Sequence, residues 1–163
     1  GITLNAVTNE MVFEYVRISG AYKGGSTNGR ELKLDASSPI LRHVVISRNH
    51  ANRGGGLEIT SYSSPILDHV IISGNTALYI GAGLRIHQFS YPKIINSIIT
   101  DNVCIANCIG NAFYVGGQGS ILTVINSIIR DNYSNSEIFS IQMAWMLIIP
   151  FFLTLFLIIM KRG

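Results

Sequence analysis

The acidic side chains that recur at one repeated position of this chain are Asp101 and Asp131, each just ahead of an asparagine in ITDN and IRDN. Two carboxylates one strand spacing apart would lie about 5 Å from each other, a separation that suits an acid and a nucleophile in glycoside hydrolysis, or oxygen ligands for Ca²⁺. The same position earlier in the chain is Gly74 and Arg48, so no longer acidic ladder exists, and solvated turn residues are the plainer reading. Among the four histidines, His43 and His69 recur at one position, continued by Asn96 and Asn126, whereas His50 and His87 fall on other faces. Two ligands do not make a zinc site. Cys104 and Cys108 sit in one loop, Cys-Ile-Ala-Asn-Cys, with no second pair. Outside the cell they would close a local disulfide; otherwise they remain free thiols. Gly54-Gly55-Gly56 and Gly81-Ala82-Gly83 lack the strand–GxGxxG–helix or Walker context of a phosphate loop and read as close backbone turns. No metal site and no cofactor are expected, Ca²⁺ at the aspartate pair being the exception weighed.

The elements that carry these residues repeat. SSPILRHVVISRN, SSPILDHVIISGN, SYPKIINSIITDN and SILTVINSIIRDN follow one another, with Asn49, Asn75, Asn102 and Asn132 separated by 26, 27 and 30 residues. A fixed period of that size is the signature of a solenoid. Helical repeats would need amphipathic stretches of ten or more good helix formers, whereas here β-branched residues dominate and Gly, Asn and Ser interrupt every few positions. An all-β fold is therefore expected, a parallel β-helix of about five partial or complete coils over residues 1–140, with three short strands per turn and a length of roughly 20 Å. Alternation turns Leu41, Val44 and Ile46 inward, then Leu67, Val70 and Ile72, Ile94, Ser97 and Ile99, and Val124, Ser127 and Ile129. Leu57 with Ile59, Leu84 with Ile86, and Phe113 with Val115 fill the opposite wall. Two turn ladders follow: Asn49, Asn75, Asn102 and Asn132 at the end of a strand, and His43, His69, Asn96 and Asn126 at the corner before it. Asn suits both, because it tolerates left-handed backbone and its amide can bond the next coil. Val45, Ile71, Ile98 and Ile128 point outward and should stack into an aliphatic stripe, either a partner surface or simply good sheet residues.

The four-residue endings Ile46–Asn49, Ile72–Asn75, Ile99–Asn102 and Ile129–Asn132, together with Gly54-Gly55-Gly56-Leu57 and Gly81-Ala82-Gly83-Leu84, resemble the FxxN and GGA(I/L) repeats of polymorphic outer-membrane and related right-handed parallel β-helix proteins, with Ile in place of Phe. The resemblance covers roughly residues 10 to 140. It implies a right-handed β-helix of the pectin-lyase-like group, whose members are secreted or surface-displayed adhesins, polysaccharide lyases and glycoside hydrolases. It speaks to fold and not to activity.

The repeat stops after Phe139, and Met143–Met160 is a run of eighteen uncharged residues. As a helix it would span roughly 27 Å, near the thickness of a bilayer's hydrocarbon layer. A transmembrane helix over 141–160 is expected, with Trp145 at the interface, Pro150 as a tolerated kink, and Lys161 and Arg162 in a cytoplasmic tail, 161–163. A cleaved sorting tail, or a longer β-helix gene interrupted out of its repeat, are the alternatives. The start at Gly1, in mid-coil, suggests a fragment. Charged residues make up 13% and the formal net charge is +3, without a basic block or nucleic-acid motif, so no nucleic-acid partner is expected. The expectation for function is a cell-surface or extracellular, membrane-anchored structural or adhesive β-helix presenting an extended face to carbohydrate or protein. The alternative is a fragment of a carbohydrate-active enzyme, a polysaccharide lyase or glycoside hydrolase.

Overall fold

β-Branched triplets broken by residues forced into left-handed backbone give short straight strands joined by sharp corners. In the computed structural model, which describes residues 1–22, 32–106, 109–116, 119–134 and the backbone of 146–148 and 159–160, such strands form four parallel sheets. The first sheet contains Ile2–Asn5, Leu32–Asp35, Leu57–Thr60, Leu84–Ile86 and Phe113–Val115. The second contains Val12–Glu14, Ile40–Arg42, Ile66–Asp68, Lys93–Ile95 and Leu122–Ile125, and the third Arg17–Ser19, Val45–Ser47, Ile71–Ser73, Ile98–Thr100 and Ile128–Arg130. His50–Arg53, Thr76–Ile80, Val103–Cys104 and Tyr133–Ser134 make the fourth. The chain visits the sheets in the same order on each circuit, so the fold is a parallel β-solenoid of about four turns. Three strands per turn were expected and four are present. The extra sheet forms directly after the Asn ladder, where a polar, mixed sequence such as His50-Ala51-Asn52-Arg53 shows no apolar alternation, yet its backbone pairs with the next coil.

Registers hold residue for residue. Ile46 pairs with Ile72, Ile72 with Ile99, and Ile99 with Ile129, so like side chains stack in columns. The apolar inward positions assigned by alternation join Leu32 and Leu34 in one buried cluster, with Leu34, Ile46, Leu67, Leu84 and Ile94 fully enclosed; Ser97 and Ser127 are buried as well. Each such side chain contributes on the order of 1.5–3 kcal/mol by leaving water. Only the first coil departs: Leu4, Phe13, Val16 and Ile18 are half-buried on the same core.

The polar residues between the strands are as ordered as the core. Asn49, Asn75, Asn102 and Asn132 are buried, and each amide oxygen accepts from the coil before it. Asn75 Oδ1 takes the Asn49 N–H at 3.1 Å and the Asn49 Nδ2 at 3.0 Å, and Asn102 Oδ1 takes the same two groups of Asn75 at 3.0 Å each. Asn132 Oδ1 takes those of Asn102 at 3.1 and 2.8 Å. The Nδ2 groups also donate to Ile46, Ile72 and Ile99 carbonyls at 3.0 Å. These asparagines are not the left-handed residues. The preceding ones are, with φ of 56° at Arg48, 62° at Gly74, 55° at Asp101 and 52° at Asp131.

A third ladder, not expected from the sequence, is formed by the first serine of each repeat. Ser37, Ser63, Ser90 and Ser120 are buried, and Ser63, Ser90 and Ser120 Oγ accept the N–H of the preceding coil's serine at 2.9, 3.3 and 3.1 Å. Its signal was present, since all four repeats open on that serine.

The helix expected over 141–160 falls largely outside the described residues, as do Trp145, Pro150, Lys161 and Arg162. The described part of that segment is strand: Met146–Ile148 pairs parallel with Leu122–Val124, and Ile159–Met160 with Ile129–Arg130. Among the described residues no helix is long and apolar enough to cross a membrane.

Removing a fully buried ladder amide orphans the groups it serves. Asn75→Ala should cost about 3 kcal/mol, whereas Asn126→Ala, at the exposed corner, should cost about 1 kcal/mol or less. Urea unfolding midpoints compare the two, and equal losses would contradict the ladder's role.

Candidate functional site

Each corner residue examined for chemistry has a backbone task. Asp101 and Asp131 sit at equivalent points of adjacent coils, immediately after the paired Thr100 and Arg130, and both hold the left-handed turn that ends the third sheet's strands. Asp and Asn adopt that conformation more readily than other side-chain-bearing residues because their short polar chains bond locally. Asp101 Oδ2 accepts from Thr100 Oγ1 at 2.9 Å, and Asp131 Oδ2 lies 3.6 Å from Arg130 Nη1. Both carboxylates are thus engaged by their own neighbours. Among the described residues no group of three or more His, Cys, Asp or Glu is arranged to hold a metal.

The other corner ladder is longer than expected. Tyr15, His43, His69, Asn96 and Asn126 all have left-handed backbone, with φ between 45° and 54°. Their side chains stack along the edge: Tyr15 lies parallel to His43 at a ring-centroid distance of 5.0 Å, His43 lies over His69 at 5.0 Å, and Asn126 Nδ2 donates to Asn96 Oδ1 at 2.7 Å. Beside this column Asp68 collects partners. His69 Nδ1 is 2.8 Å from its Oδ1, Asn96 Nδ2 donates to the same oxygen at 3.1 Å, and Arg42 Nε lies 3.7 Å from Oδ2 while also 3.7 Å from Glu14 by Nη1. Burial is the largest single influence on Asp68 and pushes its carboxyl up. The hydrogen bonds from Asn96 and His69, with the charges of His69 and Arg42, together outweigh it and hold the group below the ordinary carboxylate value.

A cluster that the sequence reading did not assemble lies on the outer face of the first sheet. Register aligns Lys33, Glu58, Arg85 and Tyr114 in one outward column and Asp35 with Thr60 in the next. Glu58 is only 4% exposed; its Oε1 receives Arg85 Nη1 and lies 3.1 Å from His87 Nε2. Lys33 pairs with Asp35, two residues further along its own strand. The signal was the opposite charge at one position of successive repeats, Leu-Glu-Ile over Leu-Arg-Ile. Glu58 is thus held by both a guanidinium and an imidazole, and Thr60 beside it is buried and donates to Gln88.

The glycine turns confirm close stacking in place of an anion cradle. Gly54, Gly55 and Gly56 donate their N–H groups to Ile80, Gly81 and Ala82 carbonyls, and Gly81, Ala82 and Gly83 to those of Ile109, Gly110 and Asn111. The donors a phosphate would need are therefore already used. A Cβ on Gly83 would stand 2.2 Å from the Ala112 carbonyl, so no side chain fits.

Comparison with protein-family models, with curated proteins and with solved structures gives no match. What distinguishes one region of the rod from another must come from its own geometry. From ladder serine to ladder asparagine, across the second and third sheets, the four coils that carry both ladders have the same length: Ser37 to Asn49, Ser63 to Asn75, Ser90 to Asn102 and Ser120 to Asn132 are each twelve positions apart. From asparagine to the next serine, across the fourth and first sheets, the spacing is 14, 15 and then 18. The longest of these stretches contains Cys104, which is buried and disulfide-bonded. Cys108, the sequence's other cysteine, lies outside the described residues. The same side carries Tyr79 at 50% exposure, Ile105 at 41%, Ile109 at 38% and Tyr133 at 56%. Ile105 N–H donates to Ala77 and Ile109 N–H to Tyr79, which brings these apolar side chains onto adjacent coils. The expected stripe, Val45, Ile71, Ile98 and Ile128, is in register on the constant side; Ile71 is 38% exposed and the other three are half-buried.

Two outcomes follow. Asp68 is lowered in the folded state, so its contribution is present above about pH 4 and is lost as pH falls below that. Wild type and Asp68→Asn should therefore differ in urea midpoint at pH 7, and the difference should shrink as pH falls below about 4; a difference that does not change with pH would contradict the assignment. Arg48→Gly, which copies Gly74, should raise stability by about 1 kcal/mol by relieving a left-handed arginine, checked by the same unfolding curves.

Proposed function

We propose that this chain is a surface-displayed structural or adhesive β-helix, right-handed and pectin-lyase-like, whose variable side engages carbohydrate or protein while its constant side serves as scaffold. The observation that carries this reading is the contrast between a half-coil fixed at twelve residues and a half-coil of 14 to 18 that holds the insertion, the disulfide-bonded cysteine and the exposed Tyr79, Ile105, Ile109 and Tyr133. Length changes are tolerated where loops face a partner and not where packing columns must stay in phase. A right-handed wind is the sense that parallel strand crossovers take in nearly all proteins. A disulfide in a small repeat domain fits an oxidising compartment outside the cytosol. The uncharged segment 143–160 is the feature that would attach the rod to a membrane, with Lys161 and Arg162 on the cytoplasmic side.

The test is binding of the purified full chain to arrays of polysaccharides and extracellular proteins. Tyr79→Ser with Ile105→Ser should weaken the strongest interaction at least about tenfold, while Ile71→Ser with Ile98→Ser should leave it within about twofold. Loss of binding only on the constant side would overturn the assignment of the face. Membrane attachment is tested separately by alkaline carbonate extraction of expressing cells; recovery in the soluble fraction would contradict it.

A further inference from the structure

In the four coils that carry a ladder serine, the corner between the first and second sheets ends on Ala36, Tyr62, Phe89 and Gly119, each just before that serine. All four have left-handed backbone, with φ of 47°, 62°, 57° and 75°. Glycine suits that conformation and bulky aromatic residues do not. Ser61 and Gln88, one position earlier, are left-handed as well, at 57° and 56°, so each ring closes a turn of two strained residues. Because the fold makes the same corner with Ala36 and with Gly119, it does not need a ring there. Strain kept at a residue the fold does not require points to a use for that residue.

The two rings form a short column. Tyr62 lies over Phe89 with ring centroids 5.2 Å apart and planes 7° from parallel. On the far side of Phe89, a Cβ on Gly119 would stand 2.6 Å from its Cδ1, so that ring rests on bare backbone and the column is closed at this end. At the other end a single residue, Ala36, fills the turn that Ser61 and Tyr62 fill in the next coil, and the column stops at a step. Ala36 is exposed, and Tyr62 is 71% exposed although Phe89 covers one of its faces. The second face of the tyrosine ring is therefore open to a ligand.

We propose that this open face of Tyr62 is a binding site for a neutral pyranose, which takes the place of the missing ring at the end of the column. A pyranose presents axial C–H groups on its flat side, and the negative face of an aromatic ring attracts them. Its hydroxyls need polar groups at the rim. Gln88 Oε1 accepts from Thr60 and Ser61 Oγ, which fixes that side chain and leaves its NH2 group to donate. Ser64, two residues after Tyr62, adds an exposed hydroxyl. Residues 61–65 and 88–92 contain no acid or base, and Asp35 of the preceding coil is paired with Lys33. An uncharged rim suits a neutral sugar and not a uronate. Tyr15, stacked as closely on His43, lies instead among Glu14, Arg42 and Asp68. Two rings with a hydroxyl and amide rim match a sugar in size and fall far short of the roughly 800 Å² that a protein partner covers. Tyr79 and Ile105 belong to the fourth sheet's side of the coil, so the site does not rest on the reading of that face.

The experiment titrates the full chain with cellohexaose, mannohexaose and hexagalacturonate while tyrosine ring signals are followed by NMR. At least one neutral sugar should bind saturably with its largest shift at the Tyr62 ring, and hexagalacturonate should bind at least about tenfold more weakly. Tyr62→Gly, which copies Gly119, should weaken the neutral sugar at least about tenfold. It should leave the urea midpoint unchanged or higher, because glycine relieves the turn. Tyr15→Ser, at an equally exposed ring on another corner, should keep the affinity within about twofold. The proposal is overturned by no binding of either neutral sugar, by equal binding of hexagalacturonate, or by a Tyr62→Gly chain that binds like wild type. A large fall in the Tyr62→Gly midpoint would make the ring structural and overturn it too, as would a Tyr62-dependent interaction found with proteins and not with the sugars.

Discussion

A buried asparagine or serine oxygen that satisfies the backbone of the preceding coil is the interaction on which this rod depends. Most corner N–H groups reach a backbone carbonyl of the next coil, but those of the ladder serines and asparagines reach a side-chain oxygen instead and without it would be left bare in a dry interior. Each ladder asparagine removes two such problems at once, accepting from the backbone and the amide of its predecessor while donating to a strand carbonyl. The apolar columns supply most of the gain from leaving water. Those columns alone would tolerate a slip along the stack; the ladders do not, because a slipped coil would bury unpaired amides on both sides.

That constraint explains where the chain varies. Between the serine and asparagine ladders, spacing is fixed because both ends are tied to the next coil and two corners of left-handed backbone lie between them. Beyond the asparagine the tie is released until the next serine, and there the chain accommodates extra residues and exposed Tyr and Ile side chains. The same logic gives the corner residues their identities. Gly74, Asp101, Asp131, Asn96 and Asn126 occupy positions where positive φ is required, and glycine or a short polar side chain meets that demand at least cost.

Much of the architecture was legible in the sequence because the repeat writes it four times. Alternation in Leu41-Val44-Ile46 and its copies gave the core face, and the spacing of Asn49, Asn75, Asn102 and Asn132 gave the stacking. Of the two reasons for asparagine there, the amide that bonds the next coil holds, whereas the left-handed residue is the one before. The fourth sheet was not legible, since His50–Arg53 pairs through backbone alone and leaves no apolar pattern. Glu58 with Arg85 and His87 was not assembled either, although Leu57 and Leu84 stood in register, because repeat alignment sets Arg85 but not His87 opposite Glu58. The catalytic reading of Asp101 and Asp131 drew on their spacing, and the corner geometry supplies a sufficient cause for both.

The most direct test of the ladders' control over chain length is a pair of single-glycine insertions, each judged by its urea unfolding midpoint. One insertion follows Asp68, between Ser63 and Asn75; the other follows Tyr79, between Asn75 and Ser90. The first should destabilise the rod by several kcal/mol or abolish cooperative unfolding, because it breaks the twelve-residue phase, and the second should cost about 1 kcal/mol or less. Equal loss from the two insertions would contradict the account.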